Sequence, residues 1–349
     1  MIAAVPLGVI GGVDTHMDTH TAAALDHLGR VLGSESFPAT AAGYEALTSW
    51  LAGFGPIQAV GVEGTGSYGA GLARHLIGVG VEVIDVNRPD RATRRSRGKS
   101  DPIDALAAAH AVQSGRATTT PKNRDNAVES LRVLRIEKDD LTQARARLIT
   151  RIKSLLVTAP EPVRAQVKDL SKTKLLNTLT TWVSPIGDPA DLAATDPQIA
   201  TVHVLGNMAR RYQELSEHID DIMTIITALT AAVAPTLMAQ PGVGPDTASA
   251  LLVSVGGNPE RMTSEASFAA LPGTCPIPAS SGKTTGRHRL NRSGDRQANS
   301  AIYKILLCRL RWPTPQTTEY IQRRTCEPAI TQSVDEVTLS DHGTPGHVH

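Results

Sequence analysis

Leu7-Gly-Val-Ile-Gly-Gly-Val-Asp14 is a run of apolar and small residues that closes on an acid. It reads as a buried strand that delivers Asp14 at its end. Two more runs, 20–26 and 30–37, have strand character, with Gly29 between them as a hairpin signal. The chain is therefore expected to open as an antiparallel meander. A helix over 41–53, a strand from Ile57 to Val62 ending at Glu63, a helix near 70–78, the strand Val81 to Val86 and a helix over about 101–114 follow. Three strands, then alternating helix and strand, is the order of a ribonuclease-H-like domain.

Between the last strand and the last helix lies the most basic loop of this half. Arg88, Arg91, Arg94, Arg95, Arg97 and Lys99 lead into Asp101 and Asp104, which sit three apart and so share a helix face. Asp14, Glu63, Asp101 and Asp104 then fall at two strand ends and one helix start. Four such carboxylates can hold two divalent cations about 3.5–4 Å apart, one for the attacking and one for the leaving oxygen of a phosphodiester. The acids repel one another, so the cluster stays ionised only when metal supplies the missing charge. Taken singly, each acid is explained as well by a solvated loop, or by the preference of acids for a helix N-terminus.

Composition sets bounds on these readings. The 349 residues are 41% hydrophobic, enough for two or three cores, yet contain only three Phe, three Trp and five Tyr. The cores must be built from Ala, Leu, Val and Ile. Net charge is +1, so any nucleic-acid partner has to be held by local fields. Cys275, Cys308 and Cys326 are far apart and odd in number, which fits a reducing compartment. No signal peptide or apolar run of membrane length is present, and a soluble, cytoplasmic protein is expected.

Two patterns compete with the acidic site. Asp14-Thr-His16-Met-Asp18-Thr-His20 has the alternation that lines side chains along one strand face. It reads better as a polar hairpin with Asp14 alone functional, because a usable metal site needs converging ligands. Gly64-Thr-Gly66-Ser-Tyr-Gly69, with Asp85 about 20 residues on, satisfies the dinucleotide fingerprint and would make a nicotinamide-dependent oxidoreductase. Its position after a meander and a first helix counts against that.

The remainder is mostly helical. Residues 126–156 carry Leu131, Leu134, Leu141, Leu148, Ile152 and Leu155 at coiled-coil-like spacings, and Arg132, Arg135, Arg145, Arg147, Arg151 and Lys153 decorate the same helix. Residues 163–200 are a polar connection without a readable pattern. A second long helix over 202–233 places Leu205, Met208, Tyr212, Leu215, Ile219, Ile222 and Ile226 on one stripe and should pack against the first or against its counterpart in another subunit. Pro241-Gly-Val-Gly244 then turns into a helix in the manner of a helix-hairpin-helix phosphate grip, with a plain helix cap as the simpler reading. After a helix at 264–271, residues 272–296 form a Gly/Pro-rich loop in which Ser280 and Ser281 precede Lys283, Arg287, Arg289, Arg292 and Arg296. A serine attacking phosphate needs this setting, and a phosphate-binding loop without covalent chemistry would look the same. A helix over 297–312 follows, and 327–349 reads as a disordered tail.

Val13-Asp14-Thr-His, Gly61-Val-Glu63-Gly-Thr-Gly-Ser-Tyr, Lys99-Ser-Asp101-Pro-Ile-Asp104-Ala, Leu-Leu-Val-Thr-Ala-Pro160, Pro241-Gly-Val-Gly244, and Ala279-Ser280-Ser281-Gly-Lys283 through Arg292-Ser-Gly-Asp-Arg296 together resemble the DEDD-type insertion-sequence transposases, also described as bridge-RNA-guided serine recombinases. The resemblance runs in order from about residue 8 to 312. It implies a RuvC-like domain over 1–118 with Asp14, Glu63, Asp101 and Asp104 as Mg2+ ligands, a helical coiled-coil region over 119–234, and a mainly helical transposase domain over 235–326. It also implies a nucleophilic serine, matched best by Ser280 with Ser281 as the alternate. Donor and target DNA, a structured non-coding guide RNA, and self-association as dimer or tetramer complete the expectation. Arg94, Arg95, Arg97, Lys99, Lys283, Arg287, Arg289, Arg292 and Arg296 would contact nucleic acid. A RuvC-like nuclease that hydrolyses DNA with water is the runner-up. Glu137, Asp139 and Asp140 depart from the family's more basic long helix, and Lys283 stands where a second glycine is common.

Overall fold

The structure, a computed structural model, describes residues 8–86, 100–182, 197–280 and 286–326. Arg94, Arg95, Arg97, Lys99, Ser281, Lys283 and the expected tail at 327–349 lie outside the described residues. Two compact units form. The first joins the chain up to Asn126 to Val255–Phe268, and the second joins Ala127–Ser254 to the segment from Ala269 onward.

In the first unit β1 (Val9–Thr15), β2 (Thr19–Leu25) and β3 (Val31–Pro38) are followed by α1 (Ala41–Ala52), β4 (Ile57–Glu63), α2 (Ala70–Gly78), β5 (Val83–Val86) and α3 (Asp101–Gln113). The strands form one sheet in the order β3-β2-β1-β4-β5. The meander β1-β2-β3 is antiparallel, while β4 and β5 add in parallel to β1. This mixed sheet is consistent with a ribonuclease-H-like N-terminal domain, and it removes the all-parallel doubly wound frame that the dinucleotide reading required.

The two faces of the sheet are built differently. Val9, Val13, Val60 and Val62 point to one side and pack with Leu47 and Leu51 of α1 and Leu72 and Leu76 of α2. On the other side the residues in step are Gly12 and Gly61, paired in register across β1 and β4. Helix α3 lies flat over them. A Cβ on Gly12 would run into the backbone of Ala105 and Ala109, and one on Gly61 would come within 3.0 Å of the Ala108 carbonyl. The helix matches this with its own small face, Ala105, Ala108 and Ala109, all buried. Glycine is needed here for close approach, not for backbone freedom.

The second unit is helical. Helices α4 (Ala127–Thr158) and α7 (Pro197–Val233) run antiparallel: Leu131 packs with Ile222 and Ile226, and Ile152 with Leu205 and Ala209. The stripes expected from the sequence do meet within one chain. The connection at 163–200 is more ordered than its composition announced. It contributes α5 (Glu161–Ala165) and α6 (Lys172–Thr180), whose Val163, Leu175, Leu176 and Leu179 are buried against the α4–α7 pair. Ser171 caps α6 by accepting from the Lys174 amide, a start signal masked by the flanking polar run. After α8 (Pro235–Met238) come α9 (Pro245–Val255), α10 (Glu265–Ala270), the short hairpin of β6 (Ile277–Pro278) and β7 (His288–Arg289), α11 (Arg296–Arg311) and α12 (Pro315–Cys326). The last of these has no counterpart in the sequence reading.

Arg135 corrects another expectation. Instead of decorating the surface of α4 it is buried, donating from Nη1 to Asp246 Oδ1 at 3.0 Å, to the Asp246 carbonyl at 2.7 Å and to Ser249 Oγ at 2.8 Å. Lys138 and Lys304 reach the same carboxylate at 2.7 and 3.3 Å. Burial alone would raise the pKa of Asp246, but the Lys138 hydrogen bond and the charges of Lys138, Arg135 and Lys304 outweigh it and hold the carboxyl well below the usual range. A depressed folded-state pKa contributes stability above the unfolded value of about 3.9 and loses it as pH falls toward the folded value. Urea midpoints of the wild type should therefore decline steadily below about pH 4. Asp246→Asn should cost on the order of 3 kcal/mol at pH 7, because it strips the partner from a buried guanidinium, and should show a flatter acid limb. An unchanged acid limb would refute the assignment.

Candidate functional site

The carboxylates are brought together by the small-residue packing. Asp14 and Glu63 follow Gly12 and Gly61 by two residues on neighbouring parallel strands, so they emerge on the face that α3 covers. Helix α3 begins at Asp101, with Asp104 one turn in, on the side carrying the buried Ala105 and Ala108. Asp14, Glu63 and Asp104 are buried, and the side chain of Asp101 is 47% exposed. The helix start places two acids at the positive end of the helix dipole, which favours negative charge there.

One side chain was missed by the sequence reading. His16, two residues beyond Asp14 on the same face, puts Nε2 at 3.2 Å from Asp14 Oδ2 and 3.4 Å from Asp101 Oδ1. Neither approach has hydrogen-bond geometry, so this nitrogen is buried without a hydrogen-bond partner. Ligand atoms of Asp14, His16 and Asp101 lie within 4.8 Å of one another. Asp104 is not one of these three, but its charge acts on Asp14. Burial, first, and then the neighbouring Asp104 and Asp101 charges raise the pKa of Asp14 against the opposing pull of His16. The available signal was the spacing Asp14-x-His16. It was set aside because a straight strand cannot converge four ligands, and the strand indeed does not. Asp18 is exposed, and His20 turns to the opposite face, where it stacks on Tyr44 at 5.6 Å. Convergence comes from α3 instead.

In the second unit, Ser280 is exposed and lies just past β6 of the short hairpin. The pairing of Ile277 with Arg289 and Pro278 with His288, and the bond from the Ala279 amide to the Arg287 carbonyl at 2.8 Å, bring the exposed Arg287 and Arg289 alongside. Arg292 and Arg296 are also exposed. Asp295 caps α11 by accepting from Gln297 and Ala298 and receives the Ser254 hydroxyl at 2.7 Å, which ties the end of the loop to α9.

Residues 11–159 match a DEDD-type IS110 family model described as a transposase. Residues 234–322 match the transposase IS116/IS110/IS902 family. Together these matches support an IS110-type transposase. No curated protein matches the chain. The IS110-type transposase is a DNA-processing enzyme, and its class typically uses a divalent metal. The orphaned His16 nitrogen between two carboxylates, and the raised Asp14, are what a site built for a cation looks like without its charge, so the residues fit such an ion.

Two sequence patterns resolve differently in this transposase. Asp85, which a dinucleotide fold would offer to a ribose, accepts the Thr65 hydroxyl at 2.6 Å, and the Gly64–Gly69 loop is thereby closed on its own sheet. At Gly244 the amide donates to Thr247 Oγ1 at 3.1 Å and Thr247 returns a bond to the Gly244 carbonyl. Gly242, at φ +78°, lets the turn press against α11, where Arg309 donates to the Pro241 carbonyl at 2.8 Å. The simpler reading, a helix cap, describes this turn. No helix among the described residues is long and apolar enough to cross a membrane, and Cys275 and Cys308 are free thiols.

Proposed function

We propose that this transposase is an RNA-guided DNA recombinase that cleaves and rejoins strands with an acidic tetrad and a serine nucleophile. The observation that carries the reading is the convergence of Asp14 and Asp101, with Asp104 acting on Asp14, on the face where Glu63 ends the next strand. Asp14, Glu63, Asp101 and Asp104, with His16 as an added nitrogen donor, would hold Mg2+. When bound, the ions supply Lewis acidity toward the phosphate and neutralise the charge that builds on its oxygens.

Ser280 supplies the attacking oxygen. Its exposure and the arginines beside it suit a phosphate approached from solvent, with Arg287 and Arg289 holding the backbone and Arg292 and Arg296 extending the same positive field. Attack forms a bond from Oγ to phosphorus and releases a deoxyribose oxygen, so the phosphoserine keeps the bond energy needed for rejoining. Ser281 is the alternate nucleophile. A structured guide RNA bringing donor and target DNA together, and assembly into a dimer or tetramer, are carried over from the family resemblance.

A suicide DNA substrate tests the serine. The wild type should form a covalent protein–DNA adduct, and Ser280→Ala should lose it with at least about a thousandfold drop in rejoining, the scale of removing a nucleophile. Cleavage that persists without any adduct would reassign the chemistry to a water-using RuvC-like nuclease. An adduct that survives Ser280→Ala but not Ser281→Ala would move the role by one residue.

A further inference from the structure

The segment between the two family matches, from residue 160 to 233, has no function assigned to it, and its first part, together with the end of α4, is strongly basic. Residues 143–182 contain eight Lys or Arg against only Glu161 and Asp169, a net +6 in a protein whose total is +1. Counting through residue 196, with Asp188, Asp191 and Asp196, still leaves +3. The continuation of α7 is the reverse, with four acids and no Lys or Arg over 212–234. The helical pair is thus electrically polarised, and its basic end is the one carrying α5 and α6.

The cations at this end are placed against their own interest. Arg147 and Arg151 stand one turn apart on α4, and Lys168, Lys172 and Lys174 cluster at the start of α6, all exposed. Lysines in the first turn face the positive end of the helix dipole, and α6 has no acid there to offset them. Arg145 and Lys172 both lie over the Tyr212 ring, at 5.8 and 5.2 Å from its centre, which draws two like charges together. Among the described residues, only Arg164 of the 143–182 cations has an ion pair, to Glu161 at 3.7 Å. A repulsive arrangement of this kind on a well-packed helical core is relieved by an anion of many charges.

We propose that the end of α4 together with α5 and α6 forms a second DNA-binding surface, which grips the phosphate backbone of duplex DNA outside the catalytic centre and reads no bases. The absence of free rings argues for a duplex over a single strand. Trp182 is half-buried against the module's core and Tyr212 is occupied by the protein's own cations, so this surface offers no stacking platform for unpaired bases among its described residues. DNA follows from the substrate of the transposase class, and the proposal rests on that substrate alone, not on the acidic tetrad or the serine.

Binding of the full chain to a 30-base-pair duplex of arbitrary sequence, measured in EDTA across a salt series, tests this without any cleavage chemistry. Arg147→Gln/Arg151→Gln/Lys168→Gln/Lys174→Gln should weaken binding about tenfold or more at 0.1 M salt and flatten the log–log salt slope by roughly 2 to 4, near 0.9 for each phosphate that is no longer neutralised. Lys168→Gln/Lys174→Gln alone should produce about half the slope change, and Asp169→Lys should tighten binding. The readout is equilibrium binding without divalent metal, so failure of the catalytic reading would leave this result untouched. An unchanged affinity and slope in the fourfold variant would overturn the proposal. So would a loss confined to a duplex RNA hairpin, which would give the surface to RNA.

Discussion

Asp14→Asn is expected to abolish strand cleavage while leaving the metal-free protein at least as stable as the wild type. The two halves of that result have one cause. Asp14 is buried, and its ionised form is disfavoured first by loss of water and then by the charges of Asp104 and Asp101. An amide of the same shape removes that repulsion, so thermal unfolding without metal should stay level or rise by a few degrees. The same change deletes a charged ligand from the centre of the cluster. Metal stabilisation of a phosphoryl transition state is worth several kcal/mol, and each 1.36 kcal/mol is a factor of ten, so cleavage should fall roughly a thousandfold or more. The stabilisation that added Mg2+ or Mn2+ gives the wild type should shrink to near zero. A variant that lost stability together with activity would mean that Asp14 is a structural acid. Stored repulsion at a functional site is a familiar reason for an enzyme to be less stable than its fold permits.

The sequence made one half of this protein more legible than the other, and the difference is physical. Strand alternation, glycine at turns, and acids at strand ends and a helix start are local signals, so β1 to β5, α3 and the positions of Asp14, Glu63, Asp101 and Asp104 on them could be read without tertiary information. His16 could not. Its role depends on α3 arriving over β1 from 85 residues away, and periodicity along the strand says nothing about what lies above it. Arg135 was misread for a related reason. Its spacing on α4 places it among surface arginines, but Asp246 and Ser249 come from a helix more than a hundred residues later. The module of α5 and α6 was hidden by composition. Val163, Val167, Leu175, Leu176 and Leu179 close its core from positions scattered among polar residues, too irregularly spaced for a periodic signal to stand out. The dinucleotide motif failed in the opposite direction, being locally complete on a sheet whose first three strands are antiparallel.

Two neighbouring glycines separate close packing from mere glycine content. Gly11 and Gly12 are adjacent on β1 and so face opposite sides of the sheet. A Cβ on Gly11 would meet Leu51 Cδ1 at 3.0 Å and Val60 Cγ2 at 3.1 Å, the ends of side chains that can give way. On Gly12 it would meet the main chain of Ala105 and Ala109, which can yield only if α3 moves as a body. Gly11→Ala should therefore cost about 1 kcal/mol or less and keep cleavage within a few-fold of the wild type, while Gly12→Ala should cost about 3 kcal/mol, the upper part of the usual overpacking range, because its neighbour is main chain. The larger consequence is for function. Lifting α3 carries Asp101 and Asp104 away from Asp14, and a displacement near 1 Å in a reacting constellation costs about a hundredfold in rate. Gly12→Ala should thus lose cleavage at a temperature where circular dichroism still shows a folded protein, and raising Mg2+ should recover part of it by mass action. Equal behaviour of the two alanine variants would show that α3 is not what holds the acids together.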